Sequence, residues 1–199
     1  MVTARPAVFD GHMTERWDDL FADLDAQMES LALADRGGEV AERTRIELGQ
    51  LSVGDRLGAA IGSTVRLRTV GGATVAGVLE RVGADWVLVD ESGGREAVVA
   101  LATVVSIGGL GRAADVPGAA GAVQARLTMR HVLRGIARDR SAVRLQTVDG
   151  GWSDGTIDRV AADHVDLAVH APGEPRRRSD VREVQLVPTA AIAVVRRSV

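Results

Sequence analysis

The sequence predicts a mainly β protein with an α-helical N-terminus, in which two tandem five-stranded units are each preceded by a short helix. Three observations carry this expectation. Apolar and polar residues alternate from Val65 onward, as a half-buried strand requires. That alternation recurs later in the chain. A helical period is found before Val65 and again just ahead of the second copy.

Residues 1 to 13 are expected to be a disordered lead, and 14 to 50 a helical region. Thr14 suits an N-cap, with Glu15, Asp18 and Asp19 near the positive end of the helix. Trp17, Leu20, Phe21, Leu24, Met28 and Leu31 recur every three or four residues, so they form one stripe, and Gly37-Gly38 supplies a stop. This stripe is the candidate helix-packing or oligomerisation surface. A second helix is expected over 39 to 50. Ser52-Val53-Gly54-Asp55 then has the Ser-x-x-acid form of a capped helix start. From there Val65, Leu67 and Thr69 alternate with Arg66 and Arg68, and Gly71-Gly72 marks a tight turn.

The repeat is the strongest signal. Residues 65 to 72, VRLRTVGG, return as VRLQTVDG from Val143, a shift of 78 residues. Gly77, Arg81, Val82, Ala84, Asp85 and Val87 match Gly155, Arg159, Val160, Ala162, Asp163 and Val165 in the same register. Upstream, Ser52-Val53 and Leu57 correspond to Thr128-Met129 and Leu133 at a shift of 76. Downstream, Val99 to Ile107 aligns with Val187 to Val195 at a shift of 88, so the second copy holds an insertion that includes Pro172, Pro175 and Arg176-Arg177-Arg178. The units are expected at 52 to 107 and 127 to 199. Between them, 108 to 126 reads as a Gly/Ala linker; its Gly109-x-Gly111-x-x-Ala114 is followed by Pro117-Gly118 rather than a helix, so it lacks the context of a dinucleotide fingerprint.

Composition narrows the function classes. All 24 basic residues are Arg, and Lys, Asn, Tyr and Cys are absent. That usage points to a high-GC bacterial source of the actinobacterial kind, so part of the Arg content reflects codons. Without Cys there is no thiolate nucleophile, disulfide or Cys-ligated zinc. The first residues lack a signal-peptide core, and no run approaches a membrane span, so no membrane partner and a cytoplasmic location are expected. Residues 1 to 100 carry 10 Arg against 17 acids, while 101 to 199 carry 14 against 10. The basic half is where an anionic partner would be sought.

The residues of the repeat resemble the Sm and LSm family, whose SH3-like barrels comprise a short helix and five bent antiparallel strands. Gly72-x4-Gly77-x-Leu79 and Gly150-x4-Gly155-x-Ile157 carry the likeness, which covers 52 to 107 and 128 to 196. It implies that Gly72 and Gly150 serve turns, and that Gly77 and Gly155 let the second strand bend. Two Sm-like barrels are therefore expected. The family grips uridine through an Asp-x-h-Asn loop and an Ile-Arg-Gly turn. Here the corresponding segments are Gly83-Ala84-Asp85-Trp86 and Ala161-Ala162-Asp163-His164, with Leu101-Ala102-Thr103 and Thr189-Ala190-Ala191 in place of the second signature. The resemblance therefore implies no standard uridine pocket. The chain as a whole is also similar to an actinobacterial group through Trp17-Asp18-Asp19-Leu20-Phe21 and Gly135-Ile136-Ala137-Arg138-Asp139-Arg140, a likeness that implies no activity.

No catalytic, cofactor or metal residues are expected. No Ser or Thr is framed with a base, and His164, Asp166 and His170 make only a weak metal pattern that is not doubled in the first copy. Arg126, Arg130, Arg134 and Arg138 recur every four residues and form a basic helix face; with Arg176, Arg177 and Arg178 they are the candidate nucleic-acid-binding residues. Trp86 and Trp152 are the only aromatics in the repeats, too few for a stacking platform. The expected function is binding or scaffolding with protein partners, self or other, and the alternative is a nucleic-acid-binding regulator.

Overall fold

The computed structural model describes residues 28, 49, 51–111, 113–114, 126–172 and 176–197. The chain divides into two compact units, Met1–Gln50 and Leu51–Val199. Of the amphipathic stripe, Met28 is helical and exposed, while Trp17, Leu20, Phe21, Leu24 and Leu31 lie outside the described residues. So do residues 1 to 13 and most of the expected linker.

The second unit opens with helix α1, Val53–Gly58. Ser52 caps it: its hydroxyl accepts from the Asp55 N–H, and the Asp55 carboxylate accepts from the Ser52 N–H. Leu57 buries against the sheet as part of the first core. Five strands follow, β1 (Thr64–Thr69), β2 (Thr74–Val82), β3 (Trp86–Asp90), β4 (Glu96–Ala100) and β5 (Val104–Gly108). In β1 the alternation has its expected result, with Val65, Leu67 and Thr69 buried and the arginines exposed. A 3-10 turn at Leu101–Thr103 redirects the chain from β4 to β5.

The second copy has the same order: α2 (Met129–Asp139), β6 (Ala142–Thr147), β7 (Trp152–Val160), β8 (His164–Val169), β9 (Glu183–Pro188), a 3-10 turn at Thr189–Ala191 and β10 (Ile192–Arg197). The pattern of 181 to 195 predicts a β-hairpin; the stretch does form strands, but β9 pairs with β8 while β10 pairs with β6 and β4, so the two do not make a hairpin. Pairing also repeats residue for residue. Val65 faces Gly77 and Val143 faces Gly155. The register slips between Leu79 and Arg81 and, 78 residues later, between Ile157 and Arg159. Gly72 and Gly150 both adopt positive φ in the hairpin turns, where a side chain would be strained.

All ten strands form one antiparallel sheet, in the order β5-β1-β2-β3-β4-β10-β6-β7-β8-β9. Of the expected two five-stranded barrels, each preceded by a short helix, the strand order is found twice, but the strands form one continuous sheet rather than two clearly closed barrels. An edge strand carries unpaired N–H and C=O groups that need partners. Here β4 finds β10 of the other copy, with Val99 facing Val194, Val98 facing Val195 and Ala97 facing Arg196. The cores exchange residues accordingly: Ala193 and Val194 join the first, while Trp86 and Val98 join the second.

Candidate functional site

The repeats meet along an interface that their sequences do not advertise. Beside the β4·β10 ladder, Asp85 Oδ1 accepts from the Met129 N–H at 2.6 Å, which places a carboxylate on the first turn of α2. The Trp86 indole donates to the Leu127 carbonyl at 2.8 Å, and the Ala84 N–H donates to the same oxygen at 3.1 Å. The turn at Gly83-Ala84-Asp85-Trp86 therefore seats the second repeat. At the other end of the junction, buried Gln146 donates from Nε2 to the Gly71 carbonyl at 3.0 Å. A Cβ on Gly71 would press against the backbone of Thr147 and Gly150, so the two hairpin turns touch only because Gly71 has no side chain.

Charges reinforce the seam. The Arg196 guanidinium grips Glu91 with contacts of 2.6 and 3.0 Å, both side chains being mostly buried. Arg196 and Arg144 each lie 5.1 Å from the Trp152 ring centre, so the ring faces guanidinium groups that its electron-rich surface attracts. A cleft of about 310 Å3 runs between α2 and the sheet, walled by Leu88, Val98, Val132 and Ile136 and rimmed by Arg81 and Arg197.

Among the described residues the sheet has two unpaired edges, β5 and β9. They correspond to the strands that are paired at the junction, β10 and β4. Pairing fixes the equivalence: Ile107 faces Leu67 as Val195 faces Leu145, and Val98 faces Leu88 as Leu186 faces Asp166. Burial differs sharply at equivalent places. Val98 is 6% exposed and Leu186 62%; Ala193 is 0% exposed and its counterpart Val105 53%. Val184, two residues before Leu186, is exposed as well.

The predicted basic face is placed as follows. Arg126, Arg134 and Arg138 are exposed and Arg130 half-buried, because α2 turns Met129 and Leu133 into the core. Arg138 has Asp139 at 3.8 Å; among the described residues no ion pair engages Arg126, Arg130 or Arg134. In the inserted loop, Arg176 is tied to Asp158 at 2.6 Å, which leaves Arg177 and Arg178 exposed.

The weak metal pattern is accounted for by separate partners. His170 is buried, with Nδ1 at 2.9 Å from the Ala171 carbonyl and Nε2 at 2.9 Å from the Thr156 hydroxyl. A proton on Nδ1 satisfies both contacts in a neutral ring. His164 Nδ1 bonds Asp163 at 2.7 Å, holding that carboxyl below its ordinary range, and Asp166 lies 3.8 Å from Arg159. Among the described residues no group of three His, Cys, Asp or Glu is placed to hold a metal ion.

Sequence reasoning missed Asp85, Trp86, Gln146 and the exposed edge residues Val105, Val184 and Leu186. A signal for some of them was present in the comparison of copies, since Trp86 stands opposite His164 and Gly71 opposite Asp149 in the alignment. No family model matches the chain, and no curated protein or solved structure matches it either. What stands is a mainly β protein with one ten-stranded antiparallel sheet, and among its described residues no helix is long and apolar enough to cross a membrane.

Proposed function

We propose that this chain is a non-enzymatic binding and scaffolding protein built from two Sm-like units, with the open sheet edges as its interaction sites. One observation carries the reading: the two repeats join edge to edge, and the same two kinds of edge remain open with apolar residues on them. An extended segment can add to such an edge through main-chain hydrogen bonds, while alternate side chains set specificity. The helix-then-five-strand order of each copy, with the fifth strand paired to the first, supports the Sm-like description.

Affinity purification of the full chain from its host, beside a Val105→Lys/Leu186→Lys variant, tests this reading. Charges on edge strands oppose strand addition. Proteins, including further copies of the chain, that are retained by wild type and lost from the variant support it. An identical set retained by both overturns it.

The arginines of α2, with Arg126 lying ahead of the helix and its Thr128 cap rather than on it, favour a second reading, nucleic-acid binding, because Arg126, Arg130 and Arg134 have no acidic partner among the described residues. Such binding would weaken steeply with salt. Absence of affinity for RNA and DNA at about 50 mM salt, where electrostatic binding is strong, removes this reading.

A further inference from the structure

We infer that the cleft between α2 and the sheet binds a small amphipathic anion, a linear carboxylate whose alkyl chain lies along the apolar walls and whose carboxylate meets Arg81 at the rim. The lining comes from α2 and from inner strands of the sheet, so the site is separate from the edges and goes beyond their reading as interaction sites.

The two repeats differ at the position that sets the charge of this cleft. In the second repeat Arg159 stands opposite Asp166 across β7 and β8, its guanidinium 3.8 Å from the carboxylate. In the first, the equivalent Arg81 stands opposite Leu88 across β2 and β3. The arginine is the same while its acid is replaced by an apolar residue, which leaves Arg81 exposed and without an acidic partner among the described residues. Leu88 instead forms a wall of the cleft, with Arg81 on the rim. A ligand carboxylate there supplies the charge that Asp166 supplies in the second repeat.

The cavity suits such a ligand in size and lining. Its volume of about 310 Å3 lies at the lower end of the range of about 300–1,000 Å3 for pockets that hold small molecules. Leu88 and Val98 come from the first repeat and Val132, Ile136 and Val195 from the second, so the cleft exists only because the repeats are joined. Such walls favour a hydrocarbon, and the small volume favours one chain over the paired chains of a membrane lipid. The other charged groups of the lining are engaged: Arg197 lies 3.6 Å from Glu96 and donates to the Ser141 hydroxyl at 3.4 Å. His131 also lines the cleft, with Nδ1 held by Thr128 at 2.9 Å. Arg81 is therefore the cation left to meet an anionic head group, while a cationic one is repelled.

Calorimetric titration of the full chain with octanoate, decanoate and dodecanoate tests the site, beside decyltrimethylammonium, which has the decyl tail and the opposite charge. Decanoate should bind saturably with a Kd below about 1 mM. Each added methylene should tighten binding by up to about fourfold until the cleft is full, and the ammonium probe should not bind. Arg81→Gln, an exposed change, should keep the fold and weaken decanoate several-fold. Leu88→Asp, which reproduces the pair found in the second repeat, should abolish binding, because an internal carboxylate then occupies Arg81. Circular dichroism checks that the variants are folded; Arg81→Gln decides alone if Leu88→Asp is not. No saturable binding of decanoate at about 1 mM, equal binding of decanoate and the ammonium probe, or wild-type affinity in Arg81→Gln overturns the inference. Any of these leaves the edge reading standing, since Val105 and Leu186 lie outside the lining.

Discussion

At the scale of single residues, the repeat makes pairs of equivalent positions that do different work. Asp85 holds the first N–H of α2, while its counterpart Asp163 is exposed and bonded to its neighbour His164. Asp85→Ala should therefore cost about 1 kcal/mol, as loss of a helix cap does. Asp163→Ala should stay within about 0.5 kcal/mol, as exposed changes do. Urea denaturation of the two variants checks the contrast. Asp149 offers a pH test. The Thr147 hydroxyl and then the Gly151 N–H donate to its carboxyl and hold it below the usual carboxylate range. A pKa lowered by folding contributes stability above the unfolded value and loses it as pH falls through the folded one. Stability of Asp149→Asn should therefore decline less steeply than wild type below about pH 4. Equal acid limbs in the two proteins would count against this account.

Single elements show the same separation of roles. In β2 and β7, a Cβ on Gly77 or Gly155 would run into the carbonyl oxygen of Asp90 or Ala168. Backbone cannot give way as a flexible side chain can, so Gly77→Val and Gly155→Val should each destabilise by about 1–3 kcal/mol. An unchanged denaturation midpoint in either would refute the close approach. On α2, Leu133→Ala should cost about 2–5 kcal/mol because Leu133 is fully buried. Changing Arg130, Arg134 and Arg138 to Gln should leave the helix folded. If the chain binds nucleic acid, that triple change should weaken binding to all sequences and flatten the salt dependence by about one unit per lost contact. Circular dichroism and titrations at several salt concentrations read both arms.

For the whole molecule, the shared seam predicts cooperativity. Residues of each repeat complete the core of the other, Trp86 and Val98 on one side and Ala193 and Val194 on the other. A fragment spanning Leu51–Val199, which is one compact unit, should therefore fold by itself and unfold in a single transition. Two separated transitions, or a fragment without structure, would show that the repeats are less coupled than their cores imply. A break of the seam should act on both halves at once. Glu91→Ala would leave the mostly buried Arg196 without its carboxylate, and should lower the stability of both repeats rather than of one.

Much of this protein was determined by sequence alone, because the relevant forces are local. Alternation placed β1, the Ser52–Asp55 pattern placed the start of α1, and the repeat assigned Gly72 with Gly150 and Gly77 with Gly155 to matching positions. Each of these rests on residues near one another in the chain, where spacing specifies the contact. Tertiary structure decided the rest. Strand addition uses main-chain groups that every residue carries, so no side-chain pattern announced that β4 would pair with β10, nor that β5 and β9 would be the edges of the sheet among the described residues. The value of Asp85 likewise depended on where α2 begins in space, 44 residues later in the chain. Exposure completed the distinction: Val98 and Leu186 are alike in pattern, and only the fold determines which of them is covered.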